Sequence, residues 1–172
     1  FINQTDWSAG AGQATSTDPT KYFSGDGKIE DNNLAGDLSL KKIFGDYVWS
    51  GNLESSSFDV EAPSNFQKIY WTPIDQPPAV GAPSVRLQIA TNNDGGAWDF
   101  SGPDGTASTY YTTGNQNINS LNNSKRYLRY KLFLDSQSPA ATPNISDISF
   151  TFTSLYAPPG QTTPIFNADL TI

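Results

Sequence analysis

Residues 126–134 (RYLRYKLFL) alternate with a period of two, and this stretch most strongly limits what the chain can fold into. Side chains of a β-strand point alternately to opposite faces. One face of the predicted strand is apolar and is expected to line the core. Its residues are Leu128, Tyr130, Leu132 and Leu134. The opposite face carries Tyr127, Arg129, Lys131 and Phe133. Its two aromatic rings predict that this face is partly covered, and a strand this apolar is expected to be central in its sheet.

The same alternation indicates further strands. Residues 84–91 (SVRLQIAT) and 145–153 alternate apolar and polar positions, and shorter apolar runs occupy residues 53–60 and 66–71. Residues 61–65 (EAPSN) form a predicted turn between the last two runs. Gly and Pro contribute 26 residues, many of them between the runs, and no amphipathic helix longer than two turns is indicated. About eight short strands with turns between them predict an all-β fold, an antiparallel β-sandwich or jelly roll.

Three parts of the chain are predicted. Residues 1–45 form an irregular N-terminal arm, anchored by Trp7, together with the first strands that pack on the sandwich. Residues 46–156 form the sandwich core, and residues 157–172 form a Pro-rich linker and a terminal strand. Because the sequence begins at Phe1 and shows no signal-peptide pattern, we expect a processed chain or a segment of a longer one.

The composition disfavours several classes of function. A net charge of −7 and a pI near 4.3, with no long basic cluster, argue against nucleic acid or an anionic membrane as a partner. No apolar run approaches the ~20 residues of a membrane-spanning helix, so membrane insertion is not expected. The chain has no Cys and no His, and therefore no thiolate nucleophile and no imidazole base. Its three Glu residues stand in no recognisable catalytic motif, so we expect that the protein is not an enzyme.

Six short segments stand in an order typical of one family. They are residues 54–59 (ESSSFD), 69–71 (IYW), 86–90 (RLQIA), 98–106 (WDFSGPDGT), 126–130 (RYLRY) and 142–148 (TPNISDI). Together they resemble a module of large bacterial surface and prepilin-like proteins, over residues 50–153. The resemblance implies a galactose-binding-like, or discoidin-like, jelly roll located outside the cell or on its surface. It implies no activity that can be assigned to named residues, since a fold alone does not supply a function.

Four residues form a candidate ligand site. Trp98, Tyr110 and Tyr111 lie in or beside polar loops, and Arg86 lies on a neighbouring predicted strand. Aromatic faces stack on the apolar faces of sugar rings while polar groups bind the hydroxyls, so this group is a candidate glycan site. The alternative is that these rings belong to the core, as most of the 22 aromatic residues must.

Two groups of acidic residues are candidate Ca²⁺ ligands, although no cofactor is required by any motif. The first group, within residues 22–33, is Asp26, Glu30 and Asp31, and the second is Asp94, Asp99 and Asp104. An EF-hand is ruled out, because Tyr22 and Asn33 would occupy the first and last ligand positions. A looser site with backbone carbonyls remains a hypothesis. The alternative is that these Asp residues only form turns, where Asp is common.

Two functions fit these features. The first is a non-catalytic extracellular module of a bacterial surface or pilus-like protein, adhesive or structural, whose partners are other subunits or itself. The terminal strand at residues 166–172 would then complete a neighbour's sheet, unless it pairs within its own domain or begins the next one. The second is a calcium-assisted carbohydrate-binding module, with glycans as partners.

Calcium binding predicts a higher thermal midpoint in calorimetry. An ion that binds only the folded state stabilises it by mass action, so millimolar Ca²⁺ should raise the midpoint relative to chelator. An unchanged midpoint would remove the calcium hypothesis.

Overall fold

The computed structural model describes residues 1–13, 18, 20–31 and 37–155, and within them it contains fourteen β-strands and no α-helix. The strands are β1 (Ile2–Gln4), β2 (Gly10–Ala11), β3 (Lys21–Gly25), β4 (Ile29–Glu30), β5 (Leu38–Leu40), β6 (Lys42–Ile43), β7 (Asp46–Tyr47), β8 (Ser50–Ser55), β9 (Phe58–Thr72), β10 (Val85–Asn92), β11 (Gln116–Asn117), β12 (Lys125–Asp135), β13 (Asn144–Ile145) and β14 (Asp147–Ser154). Single 3₁₀ turns span Pro78–Val80 and Ser120–Asn122. The all-β prediction is confirmed.

Nine of these strands form one hydrogen-bonded sheet that curls into two layers. In the first layer β12 lies between β10 and β8, and β3 and β2 continue beyond β8. In the second layer β14 lies between β1 and the later part of β9, which also pairs with β11. All pairs are antiparallel except β2 with β3. The predicted antiparallel β-sandwich is therefore confirmed, with β12 central in its layer.

Strand β9 belongs to both layers. Its first residues pair with β12, whereas residues 64–72 pair with β14, and Ser64 pairs with both strands. The sequence predicts two strands here with a turn over residues 61–65, and that prediction is wrong: the same residues bend one continuous strand. Glu61 has a φ of 70° and Pro63 has no N–H to donate, so the regular ladder is interrupted where the chain changes layer.

The alternation in β12 separates a fully buried face from a partly covered one, as predicted. Leu128, Leu132 and Leu134 are 0% exposed, and so is Tyr130, whose ring stacks against Phe150 of the opposite layer with centroids 5.9 Å apart. On the outer face the side chains are half-buried or, at Arg129, buried. The core therefore lies between β12 and β14.

A buried hydrogen-bond chain ties the N-terminal arm to this core. The Trp7 indole N–H donates to the Tyr130 hydroxyl at 2.7 Å, and that hydroxyl donates to Gln4 Oε1 at 2.6 Å. Gln4 Nε2 in turn donates to the carbonyl of Lys21 at 3.1 Å. Trp7 is 0% exposed, which confirms that the irregular arm is anchored by its indole.

The predicted division at residues 45 and 156 stays a prediction. Leu38 and Leu40, from the first predicted part, belong to the same core cluster as β12. The predicted linker and terminal strand at residues 157–172 lie outside the described residues. Over the part of the chain that the structure describes, no helix is long and apolar enough to cross a membrane.

Replacing Tyr130 with Phe is predicted to lower the free energy of unfolding by about 1–3 kcal/mol, because the buried Trp7 N–H and Gln4 oxygen each lose a partner. Urea denaturation followed by circular dichroism measures the loss. Tyr127→Phe, on the half-buried outer face of the same strand, is the matched control and should change stability by about 0.5 kcal/mol or less. Equal effects of the two substitutions would contradict the role of the buried hydroxyl.

Candidate functional site

The outer face of β12 carries a cation held between two aromatic rings. The Arg129 guanidinium carbon lies 4.1 Å from the ring centroid of Phe23 and 4.5 Å from that of Trp98. The group also donates to Glu54 Oε1 at 3.1 Å, to Ser57 Oγ at 2.9 Å and to Gln13 Oε1. Desolvation lowers the pKa of Arg129, and the pairing with Glu54 opposes that shift. Arg129 has its donors bound, two aromatic rings in contact with it and only 5% of its surface exposed, so it fixes the loop that carries Trp98 against the sheet.

A second cation–aromatic group lies further along this face. Arg86 donates to Asp135 Oδ2 from Nε at 3.1 Å and from Nη2 at 2.8 Å. Its guanidinium carbon lies 4.6 Å from the Tyr110 ring centroid, and Tyr110 meets Phe133 edge-on at 5.3 Å. The structure thus brings together two of the residues predicted to form a ligand site, Arg86 and Tyr110.

The other two predicted ligand residues lie elsewhere. Trp98 packs on Arg129 rather than on Arg86. Tyr111 is 0% exposed. Its main chain pairs with that of Leu87 in β10, and its hydroxyl accepts from the N–H of Asn119. The ring is therefore part of the core, as the alternative interpretation of the aromatic residues holds, and the four residues do not line one surface.

Two of the candidate calcium ligands, Asp26 and Asp94, act as turn residues. Asp26 accepts from the N–H groups of Lys28 and Asn52, Asp94 accepts from that of Gly96, and these bonds close loops. The remaining candidates are Glu30 and Asp31, which are half-buried, and Asp99, which is exposed. Among the described residues, no three Asp, Glu, His or Cys side chains lie close enough to hold a metal ion together. Calcium binding stays a prediction.

Asp104, the remaining candidate, organises the loop that follows β10. Its Oδ1 accepts from the N–H and hydroxyl of Thr106 and from the hydroxyl of Thr109. These hydrogen bonds lower the pKa of Asp104, and the bond from Thr109 has the largest effect. The carboxylate stabilises the tight turn at Gly105, whose φ is 84°.

The hairpin formed by β6 and β7 presents an apolar tip. Its two central residues, Phe44 and Gly45, have φ values of 53° and 97°, as a type I′ turn requires. Gly accepts this conformation freely, but a residue with a Cβ pays about 1–2 kcal/mol for it. Phe44 is nevertheless fully exposed, and Ile43 beside it is 48% exposed. The tip is thus both strained and exposed.

A cleft of about 680 Å³ lies at the opposite end of the sandwich, where β9 begins and β14 ends. It is lined by Phe1, Ile2, Asn3, Phe58, Asp59, Val60, Glu61, Ala62, Phe152 and Ser154. We call it the Phe58 cleft. Arg126, which is not part of this lining, donates two hydrogen bonds of 2.7 Å to the carboxylate of Asp59.

A smaller cleft of about 470 Å³ lies between the hairpin and β8. Its lining residues are Lys28, Ile43, Asp46, Tyr47, Val48, Trp49 and Ser50, and we call it the Trp49 cleft. Trp49 is 59% exposed, whereas Trp7 and Trp71 are buried and Trp98 is half-buried. Gly51 allows the turn with Lys28 to pack on β8, because an added Cβ would meet Ile29 at 2.9 Å.

Sequence reasoning missed the Trp49 cleft. Residues 47–49 are an apolar run like those that form the core strands, and alternation alone does not separate a buried run from an exposed one. The sequence signal for this cleft was the pair Phe44-Gly45, which forms a tight turn just before the run. A two-residue turn joins β6 and β7 into a two-stranded hairpin separate from the main sheet, and the Tyr47 N–H of this hairpin donates to the Pro139 carbonyl at 2.8 Å.

The carboxyl groups of Glu54 and Asp59, which are close enough in sequence to be candidates for a hydrolytic acid–base pair, are tied to arginines. Glu54 pairs with Arg129 at 3.1 Å, and Asp59 pairs with Arg126 at 2.7 Å. The hydrogen bonds from Arg126 hold the pKa of Asp59 below its usual range, the opposite of what a general acid needs. Burial raises the pKa of Asp147, which lies on β14.

Comparisons with known proteins give little beyond the fold. No model of a protein family matches the chain, and no curated protein matches it, so the resemblance to a prepilin-like module has no support from them. Among solved structures, the fold is similar to that of CBM32-1 from a family 31 glycoside hydrolase of Clostridium perfringens. The two are 16% identical, the alignment covers 87% of this chain and 93% of that one, and the TM-score is 0.33. A likeness this distant bears on neither the ligand nor the site residues of this chain.

The Asp59–Arg126 pair predicts a specific loss of stability in acid. Because the folded pKa of Asp59 lies below its unfolded value, the stabilisation is complete above about pH 4 and is lost as the pH falls through the folded value. Urea unfolding at a series of pH values should show a shallower acid loss for Asp59→Asn than for the unmodified chain. Parallel curves would contradict the prediction.

Asp147 supplies a control of opposite sign. The pKa of Asp147 is higher in the folded chain than in the unfolded chain. At pH values between these two pKa values the folded state binds more protons, so this group makes the fold less stable as the pH rises. Asp147→Asn should therefore steepen the loss of stability on acidification.

Proposed function

We propose that this protein is a non-catalytic binding module that takes a carbohydrate in the Trp49 cleft. The observation that carries the proposal is the exposed face of Trp49 beside the ring of Tyr47 on the wall of a cleft. Exposed indoles are costly in water, and this one is 59% exposed, whereas the other tryptophans are buried or half-buried.

The lining of the cleft matches the two kinds of surface that a sugar presents. The apolar C–H face of a pyranose ring stacks on an aromatic face, and its hydroxyl groups need donors and acceptors around the rim. Trp49 and Tyr47 provide the rings, and Lys28, Asp46 and Ser50 provide a cation, a carboxylate and a hydroxyl. Lys42 lies over the Tyr47 ring at 4.6 Å and helps to hold it in place.

The outer face of β12 is a weaker candidate for this role. Arg129 already occupies one face of Trp98, and hydrogen bonds to Glu54 and Ser57 fix that cation in place. A sugar that stacked on the same ring face would have to displace a buried ion pair. In the Trp49 cleft the cation nearest a ring is Lys42, over Tyr47; its side chain is exposed, and among the described residues no ion pair fixes it there.

Binding without catalysis fits the chemistry of the side chains. The chain has no His and no Cys, Glu54 and Asp59 are each paired with an arginine, and the hydrogen bonds from Arg126 lower the pKa of Asp59. The Trp49 cleft contains one carboxylate, Asp46, whereas Ca²⁺ takes six to eight oxygen ligands. We therefore propose that sugar binding here does not depend on calcium. A position outside the cell, on a bacterial surface, suits a chain without thiols.

Trp49→Ala is predicted to weaken glycan binding at least tenfold, about 1.4 kcal/mol, because the stacking surface is removed. A glycan array identifies the ligand, and titration calorimetry in calcium and in chelator measures the affinity. Trp98→Ala is the matched control and should bind like the unmodified chain in both buffers. Loss of binding in Trp98→Ala with full binding in Trp49→Ala would place the site on the outer face of β12 instead, and an array without any specific ligand would refute the proposal.

A further inference from the structure

A third cleft, of about 400 Å³, lies at the end of the sandwich where β10 begins. It is lined by residues of the loop that joins β9 to β10 and by Thr112 and Thr113. Trp71, which is buried, also contributes to the lining. We call it the Ser84 cleft. It shares no lining residue with the Trp49 cleft, so the two are separate depressions.

Several polar groups of the Ser84 cleft lack protein partners. Ser84 is only 5% exposed, yet among the described residues no hydrogen bond engages its hydroxyl group. A nearly buried hydroxyl without a partner is costly unless water or a ligand supplies the bond. The exposed side chains of Asp75 and Thr112 add a carboxylate and a second hydroxyl, which are likewise unengaged in the described part of the chain. The cleft therefore offers hydrogen bonds to a polar ligand.

The Ser84 cleft and the Trp49 cleft are neighbours on either side of the end of β12. Ser50, which lines the Trp49 cleft, pairs with Asp135, and the N–H of Asp135 donates to the carbonyl of Ser84 at 2.9 Å. The N–H of Ser136 donates to the carbonyl of Trp49, also at 2.9 Å. Two strand spacings thus separate Ser50 from Ser84, which is roughly 10 Å. This distance is too large for one pyranose ring but within the reach of a short chain of them.

The surface between the two clefts is polar. It carries the ion pair of Arg86 with Asp135, whose side chains are 27% and 34% exposed. Both hydrogen bonds of this pair use Asp135 Oδ2, so Asp135 Oδ1 and Arg86 Nη1 have no hydrogen bond within the described residues. An apolar partner that covered this pair would remove its hydration without replacing it, whereas sugar hydroxyl groups can bind both free atoms.

We propose that the Ser84 cleft is a second subsite for the same glycan, so that the protein binds an extended oligosaccharide rather than a single terminal sugar. This inference rests on the proposed sugar site at Trp49. One unit stacks on Trp49, the chain crosses Asp135 and Arg86, and a later unit enters the Ser84 cleft, where the hydroxyl of Ser84 gains a partner. Because the second contact is then intramolecular, affinity rises with the length of the glycan.

Titration calorimetry with a size series of sugars tests the second subsite. The probes are oligosaccharides of glucose, galactose, mannose, xylose and N-acetylglucosamine, from the single unit to about six units. For the sugar that binds, the tetramer should bind at least tenfold more tightly than the single unit. Thr112→Arg, which fills the Ser84 cleft from an exposed position, should abolish this gain and leave the affinity for the single unit unchanged.

Leu121→Arg is the matched control for the added charge and bulk. Leu121 is 70% exposed, and the residue after it, Asn122, bonds to Thr91 at the opposite end of β10 from Ser84. Both affinities should therefore stay those of the unmodified chain. Thermal melts of the two variants establish that they are folded.

NMR spectra of the isotope-labelled chain locate the sugar units. The single sugar should shift the amide signals of Trp49 and Ser50, whereas the tetramer should also shift those of Ser84 and Thr112. Equal affinities for the single unit and the tetramer, or a gain that survives Thr112→Arg, would overturn the second subsite and leave the Trp49 site intact. Failure of every sugar to bind, together with an empty glycan array, would overturn both, so the two failures are distinguishable.

Discussion

The hydroxyl group of Tyr130 joins three parts of the molecule that the hydrophobic effect alone would leave loosely oriented. Its ring lies between the two layers, against Phe58 and Phe150, and its hydroxyl accepts from Trp7 and donates to Gln4. Burial of that hydroxyl strongly raises the pKa of Tyr130, so the group stays neutral. A buried polar group with both partners present specifies one arrangement of the arm, because any other would leave a donor or acceptor unpaired.

The fold was largely predictable from the sequence because its strongest elements are long and strictly alternating. In β12 the alternation at Leu128, Leu132 and Leu134 identifies both the strand and the buried face. The bend in β9 was not predictable, since residues 61–65 have the composition of a turn whether the chain reverses or only changes layer. The distinction depends on pairing with β12 and β14, which are far away in sequence.

The candidate site was much less predictable than the fold. Composition indicates that aromatic rings and cations lie on the surface, but not which ring meets which cation. Trp98 is stacked on Arg129, 31 positions along the chain, and that contact determines that its indole serves packing. Trp49 is only two residues from the half-buried Tyr47, and its exposure follows from the position of β6 and β7 outside the main sheet.

The passage of β9 from one layer to the other has a consequence for how the protein unfolds. In a sandwich of two separate sheets, one sheet can detach while the other keeps its ladder. Here residues 58–72 form one continuous strand that pairs with both β12 and β14. Loss of either ladder therefore disorders the strand on which the other ladder depends. The two halves are therefore one cooperative unit, and the sandwich is expected to melt in a single two-state transition.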